Sequence, residues 1–340
     1  MKSNNLIEHV VIIIKENHTF DNYFGTFPGV KGFNLEPAAD PPAGGDPPHT
    51  HAAWLNRAQG AVREQYSESD IPAYFAYARQ FTLCDNYFSE VASQSAPNHF
   101  MLITADSPII DNADNNRTYQ PHPPYDLPSL PESLLSAGLS WKSYGGEFNY
   151  FNYIKNLKGS PNVVDWKVFD SDVAANQLPN VSWLYAPNVP IDFSEHPSYN
   201  KSEGKPTIRQ GMEWTVSRVN QIAQSDYWHN CAIFIIWDDW GGWYDHVPPP
   251  LKDTWQGGIP VNGLSYKGTQ FSYGPRVPCL ILSPYAKRGI NKAFHSHVSI
   301  VKFCESTFGL KPLNPRDAAS DDMSDCFDFT QTPLVKPSVL

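Results

Sequence analysis

The chain lacks any apolar stretch approaching 18 residues, which excludes a hydrophobic membrane-spanning helix of ordinary length. It is short of cysteine: five in 340 residues, at 84, 231, 279, 304 and 326, with no Cys-x-x-Cys pair. That spacing supplies no disulfide framework and leans toward a reducing compartment. Cys231 and Cys279 lie in or beside strand-like runs and read as core thiols. Positive charge is also scarce, 25 Lys+Arg against 35 Asp+Glu, for a net charge of −10. A nucleic-acid backbone is therefore a poor partner, whereas a phosphorylated or lipid substrate stays open because local fields decide that. Met1-Lys-Ser-Asn-Asn runs straight into the short apolar Val10–Ile14, with no signal-peptide pattern. The expectation is a cytoplasmic chain or a mature secreted form.

What is present is globular. An apolar content of 41% and an aromatic content of 14% suffice for a substantial core, and 31 prolines point to many ordered loops around it. Continuous apolar runs at His9–Ile14, Asn180–Tyr185, Cys231–Trp237 and Arg276–Leu282 read as buried strands. Helices are expected from Pro72 toward Phe81, capped by Ser69 or Asp70, and from Ser95 or Ala96 as N-cap with Pro97 in the first turn. Further helices are expected at 207–225 and 296–308. Strands alternating with helices give an α/β domain around a mostly parallel sheet. No boundary divides the chain, so residues 1–340 form one domain, with loop insertions around 105–130 and 145–175 and a polar tail after about 311.

Two strands end in conspicuous polar residues. The run Cys231–Trp237 stops at Asp238-Asp239 and a Gly-Gly pair, and the run His9–Ile14 stops at Lys15-Glu16-Asn17. Burying adjacent carboxylates costs several kcal/mol, of order 3–5, unless a cation or a hydrogen-bond network offsets it. In open α/β sheets functional groups gather at the carboxyl ends of strands. If both strands are central and parallel, Glu16, Asn17, Asp238 and Asp239 converge from opposite ends of the chain. Three carboxylates and an amide make a site for one divalent cation of the Mg, Mn or Ca type, with Zn or Fe also admissible.

An oxygen-ligated metal suits phosphoryl chemistry. Ser95, at a helix N-terminus, is the best nucleophile candidate, and Asn98 and His99 one turn on either face the same phosphate or pack. His49, His51, His196 and His246 sit in loops beside Pro or Gly and are candidates for stabilising phosphate oxygens or protonating a leaving group.

The motifs Glu16-Asn17-His-Thr-Phe-Asp-Asn-Tyr-Phe-Gly25, Ser95-Ala-Pro-Asn-His99, Glu195-His196-Pro197, Asp238-Asp239-Trp-Gly-Gly-Trp-Tyr-Asp-His246 and Gly274-Pro-Arg-Val-Pro-Cys279 occur in that order. The chain thereby resembles the bacterial and plant phosphoesterase family, which holds non-specific phospholipases C and an acid phosphatase, over roughly residues 7 to 308. The resemblance implies an alkaline-phosphatase-like three-layer α/β sandwich and a single divalent metal held by Glu16, Asn17, Asp238 and Asp239. It further implies that Ser95 is the nucleophile, with His49 or His51 and His196 on the phosphate side. The chain departs from the family in three places: Trp240 follows Asp239 where His is common, Thr50 follows His49 where Asp is usual, and the C-terminal module is missing. The expected substrate is a phosphate ester, of phospholipid or phosphomonoester type. The alternative is a catalytically weak relative that binds phosphate or phospholipid. Sulfatase chemistry on the same fold is disfavoured, because Ser95 lacks the Cys/Ser-x-Pro-x-Arg signature.

Overall fold

The structure is a computed structural model that describes residues 6–42, 44–114, 117–145, 150–187, 192–197, 207–258 and 265–337. Its centre is an eight-stranded sheet. In chain order the strands are β1 (His9–Lys15), β2 (Thr82–Cys84), β3 (Trp141–Tyr144), β4 (Val163–Val164), β5 (Val181–Tyr185), β6 (Cys231–Trp237), β7 (Cys279–Leu282) and β8 (Gly289–Asn291). Their spatial order is β8-β2-β7-β6-β1-β5-β3-β4.

Every pairing is parallel except those of β7, which runs antiparallel to both β6 and β2. β1 lies between β5 and β6, with Ile14 opposite both Tyr185 and Ile236. A strand covered on both faces must be apolar throughout, which is why Val10–Ile14 and Cys231–Trp237 carry no alternation and are buried at every position. One apolar cluster runs from these strands into the flanking helices and includes Trp141, Trp183 and Trp237.

Four helices matter for the site: α1 (Phe20–Phe24), α2 (Ser95–Thr104), α3 (Thr207–Gln224) and α4 (His297–Phe308). The N-cap of α2 is Gln94, so Ser95 is the first helical residue and its hydroxyl is released from capping. The helix Pro72–Gln80 likewise starts after Ile71, without a side-chain cap, because Asp70 accepts from Ser67 instead. The segment 145–175 holds a short helix, Val168–Ala174, and the two-residue strand β4. Residues 146–149 of that expected insertion lie outside the described residues. Trp240 and Trp243 are core residues: Trp240 packs edge-on to Trp54 and Trp243 stacks on His18.

Candidate active site

The parallel register brings the ends of β1 and β6 side by side, Lys15 opposite Trp237, so the next residues of both strands emerge together. The Asp238 amide donates to the Lys15 carbonyl at 3.0 Å, and the Asn17 amide donates to Asp238 Oδ1 at 2.9 Å. Asn17 takes a left-handed backbone, φ 61°, which an Asn side chain tolerates better than most. Gly241 turns the chain back over this point. A Cβ there would lie 2.2 Å from the Asn17 carbonyl oxygen, and φ is +57°, so glycine is required on two counts.

Glu16, His99 and Asp238 each place a ligand atom within 4.8 Å of the others, all three buried. His99 Nε2 is 3.2 Å from Asp238 Oδ2 and 3.6 Å from Glu16 Oε1, and its ring stacks on Tyr150 at 4.1 Å. The Ser95 hydroxyl donates to Asp239 Oδ2 at 3.0 Å. Ser95 and His99 are four residues apart on α2 and therefore share one face. The other oxygen of Asp239 accepts from the Gly241 amide at 2.7 Å.

On the far side of Asn17, its Nδ2 lies 3.2 Å from His49 Nε2 and 3.1 Å from His196 Nε2. His49 Nδ1 faces the Pro47 carbonyl at 2.7 Å and so carries the proton, which leaves Nε2 to accept from the Asn17 amide. That network assigns the Asn17 carboxamide and leaves its Oδ1 buried without a partner.

The electrostatics follow from burial. Desolvation raises Glu16, with the neighbouring Asp238 charge adding to it, and it raises Asp239 well above the usual carboxylate range for the same two reasons. Burial would raise Asp238 too, but hydrogen bonding and charge from His99, with the Asn17 amide and Ser95, hold it below that range. Against its own desolvation, His99 is pushed up to about 9 by Asp238 and Glu16. Three buried carboxylates thus gather about one imidazole, and Asn17 Oδ1 lacks a hydrogen-bond partner. That excess of buried negative oxygen is the donor set of a hard or borderline divalent cation.

His51 is held elsewhere, with Nδ1 on the Ala92 carbonyl at 2.8 Å and Nε2 on Thr269 Oγ1 at 2.7 Å. Asn98 clamps the turn before Ser95: Oδ1 accepts from the Val91 amide, and Nδ2 donates to the Val91 and Gln94 carbonyls. His246 Nδ1 sits 2.6 Å from Asp21 in a buried network in which Arg276 bridges Asp21 and Asp245. Asp21 is pushed up to about 6, by burial first and by Asp245 second.

Three supporting residues lie outside the candidate set read from the sequence. Lys15 and Glu195, the neighbours of Glu16 and His196, form a buried pair at 3.1 Å, with Tyr23 and Tyr74 donating to the carboxylate. His297, at the start of α4, places Nε2 2.6 Å from the Asp238 carbonyl. Lys15 could have been singled out only by its place before Glu16, whereas Glu195 opens the Glu195-His196-Pro197 motif itself.

The phosphoesterase family model matches residues 7–59 and 48–311. The chain belongs to the phosphoesterase family. It is 29% identical to a non-hemolytic phospholipase C of Pseudomonas aeruginosa over 95% of its own length and 57% of that protein. It is 28% identical to phospholipase C A of Mycobacterium tuberculosis, over 96% of this chain and 78% of that one. The chain therefore spans less than two thirds of the first of these relatives. Among solved structures it resembles human ectonucleotide pyrophosphatase/phosphodiesterase 5, with TM-score 0.54 and 11% identity over 94% of this chain and 100% of that one. It also resembles the lipoteichoic acid synthase LtaP of Listeria monocytogenes, with TM-score 0.53 and 12% identity over 93% and 75%. At such identities the likeness shows the fold alone, an alkaline-phosphatase-like α/β architecture with a large, mostly parallel sheet flanked by helices.

Proposed function

We propose that this family member is a metal-dependent phosphoric ester hydrolase that uses Ser95 as its nucleophile. The observation that carries the reading is the Ser95 hydroxyl donating to Asp239 at 3.0 Å, beside the buried Glu16–His99–Asp238 cluster. Glu16, Asn17 Oδ1, Asp238 and Asp239 are the residues to hold one divalent cation, with His99 at its edge. A cation bound there supplies charge that polarises the phosphoryl group.

The chain's own residues do the rest. Asp239 accepts the Ser95 proton as Oγ bonds to phosphorus and the ester P–O bond breaks. The leaving alkoxide takes a proton from the imidazolium form of His49 or His196, whose Nε2 atoms converge on Asn17. Water then hydrolyses the phospho-serine with the roles of base and acid reversed. Asn98, His51 and His246 position the turns that present these groups. The relatives named phospholipase C favour a phosphodiester of a lipid head group as substrate.

The test is to assay p-nitrophenyl phosphate, bis-p-nitrophenyl phosphate and phosphatidylcholine with wild type, Ser95→Ala and Asp238→Asn, with and without chelator. Hydrolysis that needs both side chains and a chelatable ion supports the reading. Full activity in Ser95→Ala, or no turnover of any ester with any divalent ion, sinks it.

A further inference from the structure

A second set of ligating side chains lies where the C-terminal segment meets the sheet edge. Cys84 ends β2, His295 starts the short strand His295–Ser296, and Cys326 closes the turn Ser324–Cys326. One ligand atom of each lies within 4.8 Å of the other two, and all three residues are buried. His295 is anchored on one side, its Nδ1 2.7 Å from Asp321 Oδ1, while Nε2 faces Cys326 Sγ at 3.6 Å. Ligating imidazoles have this arrangement, one nitrogen oriented by a carboxylate and the other turned toward the metal. Asn291 spans the same spot, with Oδ1 3.3 Å from His295 Nε2 and Nδ2 donating to Cys326 Sγ at 3.2 Å. Asp325 Oδ1 stands 3.7 Å from His295 Nε2 and 3.9 Å from Cys326 Sγ, on a side chain open to solvent. Buried thiols are ordinary core residues among apolar neighbours. Two sulfurs converging on an imidazole whose far side is pinned need another reason.

We propose that Cys84, Cys326 and His295 Nε2 form a structural site for a zinc-type divalent cation, with Asp325 completing the coordination from the solvent side. Two thiolates and an imidazole suit a borderline-soft cation in tetrahedral coordination, unlike the oxygen-rich set at the ends of β1 and β6. On binding, the two thiol protons and any proton on Nε2 pass to solvent, and the sulfurs and the imidazole each give a lone pair to the cation. The site clips the C-terminal segment to the sheet edge, where the Lys287 amide already donates to the Cys326 carbonyl at 2.9 Å and Ala286 bridges to Phe327. It also buttresses the catalytic end, since His297 lies two residues beyond His295 and touches the Asp238 carbonyl.

The test uses full-length protein stripped with chelator under reductant and titrated with Co²⁺. A thiolate-to-cobalt charge-transfer band in the near ultraviolet reports sulfur ligation and is silent for an oxygen-ligated site. The expected result is a band that saturates at one equivalent, is displaced by stoichiometric Zn²⁺, is lost in Cys84→Ser and Cys326→Ser, and is kept in Cys304→Ser, whose thiol lies buried in α4. Should the serine variants fail to fold, the wild-type titration decides alone, the band and its displacement by zinc being sufficient. A wild type with no band, a band that survives both substitutions, or a Cys84–Cys326 disulfide formed in place of metal uptake overturns the proposal.

Discussion

Asn17 joins the two halves of the candidate site: its backbone amide holds Asp238 and its carboxamide reaches both His49 and His196. Because these contacts depend on a left-handed residue packed under Gly241, the most sensitive position in the turn is one with no side chain. Gly241→Ala is expected to cost about 1–3 kcal/mol of stability through strain and the clash with the Asn17 carbonyl. Urea unfolding should show the loss, together with a fall in kcat. Ser95→Ala makes the opposite test, because the hydroxyl donates to Asp239 inside the cluster and its removal is expected to leave the fold intact. A drop in kcat of about a thousandfold or more is expected, with an unchanged urea midpoint. An equal rise in KM with kcat preserved would mean that Ser95 only binds substrate.

At the scale of elements, the end of β1 is fixed by the buried Lys15–Glu195 ion pair. The Lys15 ammonium also donates to the Phe193 and Gly211 carbonyls, and a Cβ at Gly211 would run into Glu195 at 2.3 Å, so α3 is closed tightly over the pair. Lys15→Met strands a buried carboxylate and is expected to cost about 3–5 kcal/mol. Adding Glu195→Gln should recover part of that loss in urea melts, since no buried charge then lacks a partner.

Glu305 on α4 supplies a pH signal remote from the proposed site. Burial first, and its contact with Asp317 second, push it up to about 8, against a weaker opposing pull from Lys302. The folded chain thus keeps a proton that the unfolded chain releases near 4.5. This contribution to stability is fully present below that pH and is lost as pH rises through about 8. Glu305→Gln should flatten that leg of a stability profile measured from pH 5 to 9.

The strands that carry the cluster were legible because burial on both faces leaves an uninterrupted apolar run, as in Val10–Ile14 and Cys231–Trp237. Ser95 was legible only in combination with Pro97 and the family motif, and its release from capping depended on Gln94 taking the cap. His99 beside Glu16 and Asp238 follows from the i, i+4 spacing with Ser95, a cue that exists in the sequence but competes with ordinary packing. Short strands such as Thr82–Cys84 and Gly289–Asn291 left no pattern, because two or three residues cannot display a period. The antiparallel direction of β7 is invisible for a similar reason: a fully buried strand reads the same both ways.

For the whole molecule, the excess of buried carboxylate predicts that cation and fold are linked. Chelation should lower the unfolding midpoint, and readdition should restore it. Free ion at a hundredfold over Kd is worth about 2.7 kcal/mol. The share of the shift that disappears in Asp238→Asn belongs to the oxygen cluster, and scanning fluorimetry on both proteins separates it. Among the described residues no helix is long and apolar enough to cross a membrane.

The place of β1 between β5 and β6 carries a consequence for biosynthesis. Of the eight sheet strands β1 is translated before the others, and its partners follow only at Val181–Tyr185 and Cys231–Trp237. For most of translation Val10–Ile14 has neither sheet edge to join, so a sticky apolar segment must wait, at about 5–20 residues per second, for more than half the chain to appear. Its solubility in that interval rests on the polar residues around it and on chaperones. Nascent chains arrested before residue 181 should therefore be captured by holdases through their N-terminal end, and those arrested well beyond residue 237 should not.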